Sequence, residues 1–133
     1  MIGVVIATHG RLAEEMVRTA EAVVGKLSQV QPVAVDASNP DIRGQLKEAI
    51  KSVDTGDGVL LLTDLLGGSP TNLCVSFLTE RKVEIVTGVN LPMLLKLDAL
   101  RAAGKPIGAV AQELAEAGRK AIGHVSETLR RAM

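Results

Sequence analysis

The sequence predicts an α/β fold: a parallel sheet covered by helices on both faces. Three observations predict it. Short β-branched apolar runs alternate with stretches of helical periodicity along all 133 residues, the pattern of repeated strand–helix–strand units. The runs are continuously apolar rather than alternating, as in strands buried on both faces. The most polar and irregular segments follow the first and third runs. In a parallel sheet, ligands bind just there, beyond the carboxyl ends of the strands.

The first run, "IGVVIA" (2–7), ends at Thr8 and presents His9 and Gly10 at its tip. Leu12, Met16, Val23 and Leu27 then recur at helical spacing, with Glu14, Glu15 and Arg18 opposite, predicting a helix that buries the first set. "VQPVAV" (30–35) predicts a second strand, and Pro32 suits an edge position. "SNPD" (38–41) predicts a helix start with Asn39 as cap and Pro40 in the first turn. Ile42, Leu46, Ala49, Ile50 and Val53 mark its buried face. After the turn "DTGDG" (54–58), "VLLLT" (59–63) predicts a third strand. "DLLGGSPTN" (64–72) predicts a loop and then a helix with Leu73, Phe77 and Leu78 inward. "VEIVTG" (83–88) predicts a fourth strand, and "VNLP" leads into a helix over 93–103 that Gly104 ends. A last helix follows Pro106 and runs to about residue 121. One domain, residues 1–133, accounts for the chain, with no internal repeat and no linker.

Composition narrows the function. Apolar residues make up 47% of the chain but aromatics only 1%, with Phe77 alone. The core is therefore aliphatic, and stacking on unpaired nucleic-acid bases has no side chains to use. Fifteen basic and fifteen acidic residues cancel, leaving no electrostatic footprint for nucleic acid or an acidic membrane. Cys74 has no partner in the chain, so no disulfide framework or thiolate metal cluster is expected. The amino terminus lacks a basic region and a cleavage signal, and no apolar run reaches the ~20 residues of a membrane helix. A cytoplasmic protein is expected.

The chemistry converges on two strand ends. A neutral imidazole at His9 is a nucleophile through one nitrogen, and what the other nitrogen donates to decides which one is free. Asp64 is the candidate orienter; a carboxylate there also stabilises positive charge developing on the ring. Gly67 and Gly68 allow close approach of the backbone. Ser69 is placed to cap a helix with Pro70 in its first position, and such a helix start favours phosphate. Thr63 adds a further candidate donor. No nucleotide-binding loop accompanies them, because "AAGKP" (102–106) has Pro106 where a hydroxyl residue belongs. No metal cluster is expected; His124 reads as a surface or tail residue and Cys74 as core. Phosphate chemistry without metal, cofactor or nucleotide implies a phosphoryl group delivered by another protein.

"VIATHGRLAEEM", "GVLLLTDLLGGSPTN" and "VEIVTGVNLPML", at the ends of the first, third and fourth strands, resemble the IIA domain of mannose-type transporters of the bacterial phosphoenolpyruvate:sugar phosphotransferase system (PTS). The resemblance spans essentially the whole chain. It implies a phosphoryl carrier that accepts from the small protein HPr on His9, through Nε2, and passes the group to a IIB component. It implies that Asp64 holds the other ring nitrogen and that Thr63, Gly68 and Ser69 line the phosphoryl pocket. It implies strand order 2-1-3-4 and a homodimer whose carboxyl-terminal segment adds a swapped antiparallel strand, for which "AIGHVS" (121–126) is the nearest candidate. Arg11, Leu66, Leu91, Pro92 and Met93 are the candidate partner surface. Leu66 and Thr71 depart from the usual loop pattern. With no Pro/Ala-rich linker before Met133, a stand-alone IIA is expected. The alternatives are a regulatory phosphorylatable module of an incomplete system, the phosphotransfer subunit of a dihydroxyacetone kinase, and, more remotely, a hydrolase using His9 and Asp64.

Overall fold

The computed structural model describes residues 1–133. Four strands, β1 (Gly3–His9), β2 (Val30–Val35), β3 (Val59–Thr63) and β4 (Val83–Val86), form one all-parallel sheet of order β2-β1-β3-β4. Six helices accompany them: α1 (Leu12–Val24), α2 (Ile42–Val53), α3 (Ser69–Val75), α4 (Leu91–Ala102), α5 (Ile107–Lys120) and α6 (Val125–Ala132). The predicted fold class and strand order are those observed, and Pro32 sits on an edge strand as expected.

The continuous apolar runs have a simple geometric cause. Successive side chains of a strand point to opposite faces, so a central strand covered on both faces needs apolar residues at every position. Val4 and Ile6 of β1 and Leu60 and Leu62 of β3 pack with α1, α4 and α5. Val5, Ala7, Val59 and Leu61 pack on the other face with α2, Cys74 and Phe77. Each fully buried aliphatic side chain stabilises by about 1.5–3 kcal/mol relative to exposure. Burial also pushes the Cys74 thiol up to about 12, which makes it an inert core residue. Phe77 is fully buried, and the Arg43 guanidinium stacks 4.4 Å from its ring centroid, joining α2 to the segment after α3.

Several local expectations are corrected. The buried stripe of α1 is Ala13, Val17 and Ala20, whereas Leu12 and Val23 are exposed. Small residues let the helix lie close to the sheet, so the larger ones fall at its margins. Leu78 is likewise exposed. Asn39 does not cap α2; Asp41 occupies the cap position, and Asn39 accepts from the Asp41 N–H at 2.9 Å, closing the turn before it. The candidate strand at 121–126 is not formed. Those residues turn into α6, which is wholly exposed and carries a Glu127–Arg131 pair at 3.2 Å. A strand there needs a neighbour to hydrogen-bond to, whereas a helix satisfies its own backbone.

The strand lengths place the site. β1 pairs with β3 up to Ala7 opposite Thr63 and with β2 up to His9 opposite Val35. The central strand therefore overshoots β3, and His9 stands at the rim just above the loop that β3 enters.

Candidate functional site

His9 ends β1 on the face shared with α2 and α3. Gly10 follows with φ +54, a left-handed conformation that lets the chain reverse at once into α1. The turn is fixed from below by Thr8, whose buried Oγ1 accepts from the Ala13 N–H at 2.8 Å. That bond satisfies a first-turn donor of α1, which has no side-chain cap of its own at Arg11. Sequence reasoning passed over Thr8. The signal was present: a hydroxyl residue just ahead of a helix start.

Asp64 leaves the end of β3 and turns back toward β1. Its Oδ2 accepts from the His9 backbone N–H at 3.0 Å and lies 2.8 Å from His9 Nδ1. Its Oδ1 accepts from the Leu65 N–H at 3.0 Å. Partial burial alone would raise the Asp64 carboxyl. The backbone N–H and ring of His9 outweigh that and hold it below the usual carboxylate range. An ionised carboxylate only accepts, so Nδ1 carries a proton, and in the neutral ring the lone pair is that of Nε2. The Asp64 side chain is 10% exposed and that of His9 52%. The carboxylate is thus enclosed while the ring reaches solvent.

Gly68 explains how the loop fits beside the ring. A Cβ built on it would stand 3.0 Å from His9 Cε1 and 2.9 Å from a Leu65 methyl. A larger residue there would press on the imidazole and displace the Leu65 side chain, so glycine lets the backbone pass this close without moving the ring. Gly68 is also the cap residue of α3, correcting the assignment of that place to Ser69. Ser69 is the first helical residue, exposed, with Pro70 after it, and no side chain caps the helix. Pro70 has no N–H and the Asn72 N–H goes to the Gly68 carbonyl at 3.0 Å, which leaves the N–H groups of exposed Ser69 and buried Thr71 without a capping side chain.

The remaining candidates separate. Thr63 is fully buried, with its hydroxyl 2.6 Å from that of Thr71. It faces the interior rather than a phosphoryl group. Arg11 is exposed and directed at Glu14 and Glu15 of its own helix. Leu66 is 81% exposed. Leu91 and Pro92 are half-buried at the start of α4, which Asn90 caps by accepting from the Met93 N–H at 3.2 Å. Met93 is 1% exposed, a core residue packed against Gly118 rather than part of a surface. The helical period hid this, because the first turn of α4 already faces the core. A groove of about 770 Å³ runs along the open edge of β4, lined in part by Leu66, Ile85, Asn90 and Ala115; His9 and Asp64 stand outside it. No group of three or more His, Cys, Asp or Glu residues gathers as a metal site. No helix is long and apolar enough to cross a membrane. His124 is exposed.

The arrangement offers a nucleophilic ring nitrogen, a carboxylate fixed behind it and an uncapped helix start beside it. Comparison with known proteins agrees in kind. Residues 3–115 match the model of EIIA-man, the PTS system fructose IIA component. The chain is 36% identical over 98 residues to the PTS system mannose-specific EIIAB component of Escherichia coli strain K12, covering 71% of this chain. It spans only about 30% of that relative's length. It is 29% identical over 104 residues to the PTS system fructose-specific EIIA component of Bacillus subtilis, covering 76% of this chain and 71% of that one. Among solved structures, the PTS IIA protein associated with the fucose utilization operon of Streptococcus pneumoniae superposes with a TM-score of 0.78 at 28% identity, covering 96% and 95% of the two chains. The fold is also that of phosphotransferase system component EIIA from Streptococcus agalactiae, with a TM-score of 0.84, 24% identity and coverage of 96% and 99%.

Proposed function

The chain belongs to the EIIA-man family of phosphotransferase-system components, and from that premise we propose that it is a phosphohistidine carrier. It accepts a phosphoryl group from phospho-HPr on His9 Nε2 and passes it to a IIB component. One observation carries the reading: the 2.8 Å contact between His9 Nδ1 and the enclosed Asp64 carboxylate. It leaves the exposed Nε2 as the only nitrogen able to attack.

The step balances as follows. The Nε2 lone pair attacks phosphorus in line with the donor's nitrogen–phosphorus bond. The new bond forms as the old one breaks, and the departing imidazole nitrogen keeps that electron pair. Positive charge appears on the His9 ring, with the proton still on Nδ1, and Asp64 lies against it. Such transfer rests on positioning and charge stabilisation rather than on covalent steps by the protein. Gly68 allows the backbone to approach, and the uncapped start of α3 at Ser69 faces the phosphoryl oxygens. Ser69, exposed at that turn, is a ligand in this reading, whereas Thr63 supports the loop from inside. Exposed Leu66 and Arg11, with the half-buried Leu91 and Pro92, belong to the partner-facing side. The open β4 edge and the exposed apolar residues Ile122, Val125 and Leu129 support a homodimer, which acts in the cytoplasm with HPr and IIB.

The test is phosphoenolpyruvate-dependent labelling of the purified chain by the general phosphotransferase enzyme and HPr, with mapping of the modified residue. Label on His9 is expected. No label, or label elsewhere, overturns the reading.

A further inference from the structure

We infer that Thr71 is a positioning residue for His9, acting through the backbone of Leu65 and the carboxylate of Asp64; this deepens the phosphocarrier reading and rests on it.

The observation is a directed chain of hydrogen bonds. The Thr71 hydroxyl has one proton, and it goes to the Leu65 carbonyl at 2.7 Å. The 2.6 Å contact between the Thr63 and Thr71 hydroxyls must then use the proton of Thr63. The direction is fixed: Thr63 donates to Thr71, and Thr71 donates to Leu65. Leu65 in turn gives its own N–H to Asp64 Oδ1 at 3.0 Å. Asp64 Oδ2 is thereby left for His9, at 3.0 Å from its N–H and 2.8 Å from Nδ1.

Leu65 is the link that needs support. Its side chain is 50% exposed, so packing does little to hold it. Its carbonyl and N–H are instead gripped by side chains on either side. The carbonyl is tied to the sheet and to α3, through Thr63 at 0% exposure and Thr71 at 5%. The N–H is tied to the carboxylate. Rotation of Leu65 would carry its N–H away from Oδ1 and release the carboxylate to turn, loosening its hold on Nδ1–H. The effect at the reacting atom is a change of tautomer, in which the proton moves to Nε2 and the nucleophile is lost. Buried hydroxyls suit this task, because in a dry interior each must keep its partner.

The experiment uses the full chain labelled with ¹⁵N, whose imidazole spectrum reports which ring nitrogen of His9 is protonated. The wild type is expected to hold the proton on Nδ1. Thr71→Val should bring in the other tautomer. It should slow phosphorylation by phospho-HPr on the order of tenfold while leaving the KM for HPr unchanged. Thr71→Ser, which keeps the hydroxyl, should restore both readouts to within about twofold. Thr71→Val alone strands the Thr63 proton and is the variant most exposed to misfolding. Thr63→Val/Thr71→Val removes both hydroxyls in similar shapes, so it should fold and show the same tautomer change. A folded double variant with wild-type tautomer and rate overturns the proposal. So does failure of both valine variants to fold, which would assign the hydroxyls to stability instead. If wild type takes no label from phospho-HPr, the carrier reading fails, while the imidazole spectra still decide whether Thr71 positions His9.

Discussion

At the amino-terminal rim of the sheet, Arg101 is 7% exposed, and its Nη1 donates to the Ile2 carbonyl at 3.1 Å. Gln29 closes the same rim with φ +53, donating through Nε2 to the Val53 carbonyl at 3.1 Å and accepting the Val4 N–H at 2.9 Å. Gly3 is pressed so close to α2 that a Cβ would stand 2.2 Å from the Val53 carbonyl oxygen. At the opposite rim, His9 is also tied across a long sequence separation, by its backbone N–H and by one ring nitrogen only, and half its side chain stays in solvent. Long-range polar contacts and glycines at close approach occur at both ends. What separates the two rims is an atom left over within reach of solvent. The lower rim turns the Arg101 guanidinium inward onto a backbone carbonyl; the upper one fixes a ring and leaves its second nitrogen in reach of solvent.

The largest effect expected is at that free atom. His9→Ala should abolish labelling by phospho-HPr while changing the unfolding free energy by less than about 1 kcal/mol, since an exposed side chain carries little stability. Denaturant titration of the unlabelled variant checks the second half. Gly3→Ala is the mirror case at the lower rim. Its Cβ meets backbone rather than a yielding side chain, so it should cost about 3 kcal/mol of stability. The fraction that folds should label at the wild-type rate. Slow labelling of folded Gly3→Ala would erase the distinction between the rims.

The contrast between the rims also explains what could be read in advance. Central strands announce themselves by apolar residues at every position, so β1 and β3 were legible, whereas their being neighbours, which brings His9 and Asp64 together, was implied by the family resemblance and not by the apolar runs. Parallel topology needs no contact information, only alternation. The misread details all depend on distances between elements. Ala13 and Ala20 are buried because α1 lies close to the sheet, a closeness that the periodicity of Leu12 and Val23 does not reveal. Met93 faces inward because Gly118 leaves room for it on α5. The Thr63–Thr71 contact joins residues eight positions apart across a turn, and neither hydroxyl is unusual in its local sequence. The exposed helix at 125–132 replaces an expected strand that one chain cannot pair.

Asp64→Asn comes next. The carbonyl oxygen of asparagine can still accept, but the charge that faces the developing imidazolium is gone. Phosphorylation of His9 should slow roughly a hundredfold, about 2.7 kcal/mol in barrier, with binding of HPr unchanged. An unaltered rate would deny Asp64 its orienting part. Arg101→Met tests the lower rim more gently. It leaves the Ile2 carbonyl unpaired but also removes a buried Nε that has no partner, so the net loss should be about 1 kcal/mol. Labelling should not change.

The smallest expected effect is one of pH, and it separates the two rims most finely. The Asp64 carboxyl titrates below its usual range in the folded chain because His9 donates to it, against the opposing push of burial. Between the lowered value and the ordinary one, the unfolded chain binds more protons than the folded chain, so stability rises with pH across that window. The contribution is complete above the ordinary carboxylate range and lost as pH falls through the lowered value. Asparagine has no such dependence. The stability gap between wild type and Asp64→Asn should therefore narrow on acidification. Asp36 and Asp57 are also lowered, by Ser38 and by the terminal amine. Both chains share them, so they cancel in the difference. Arg101→Met also removes the pair that Arg101 Nη2 makes with Asp98 Oδ1 at 3.2 Å, so the reference for the lower rim is Gly3→Ala, which touches no carboxylate and should keep a constant gap from wild type over the same range. Denaturant midpoints from pH about 3 to 6 measure both. A gap for Asp64→Asn that stays flat would mean that the carboxylate draws no net stability from His9, and that the upper rim is held by the loop alone.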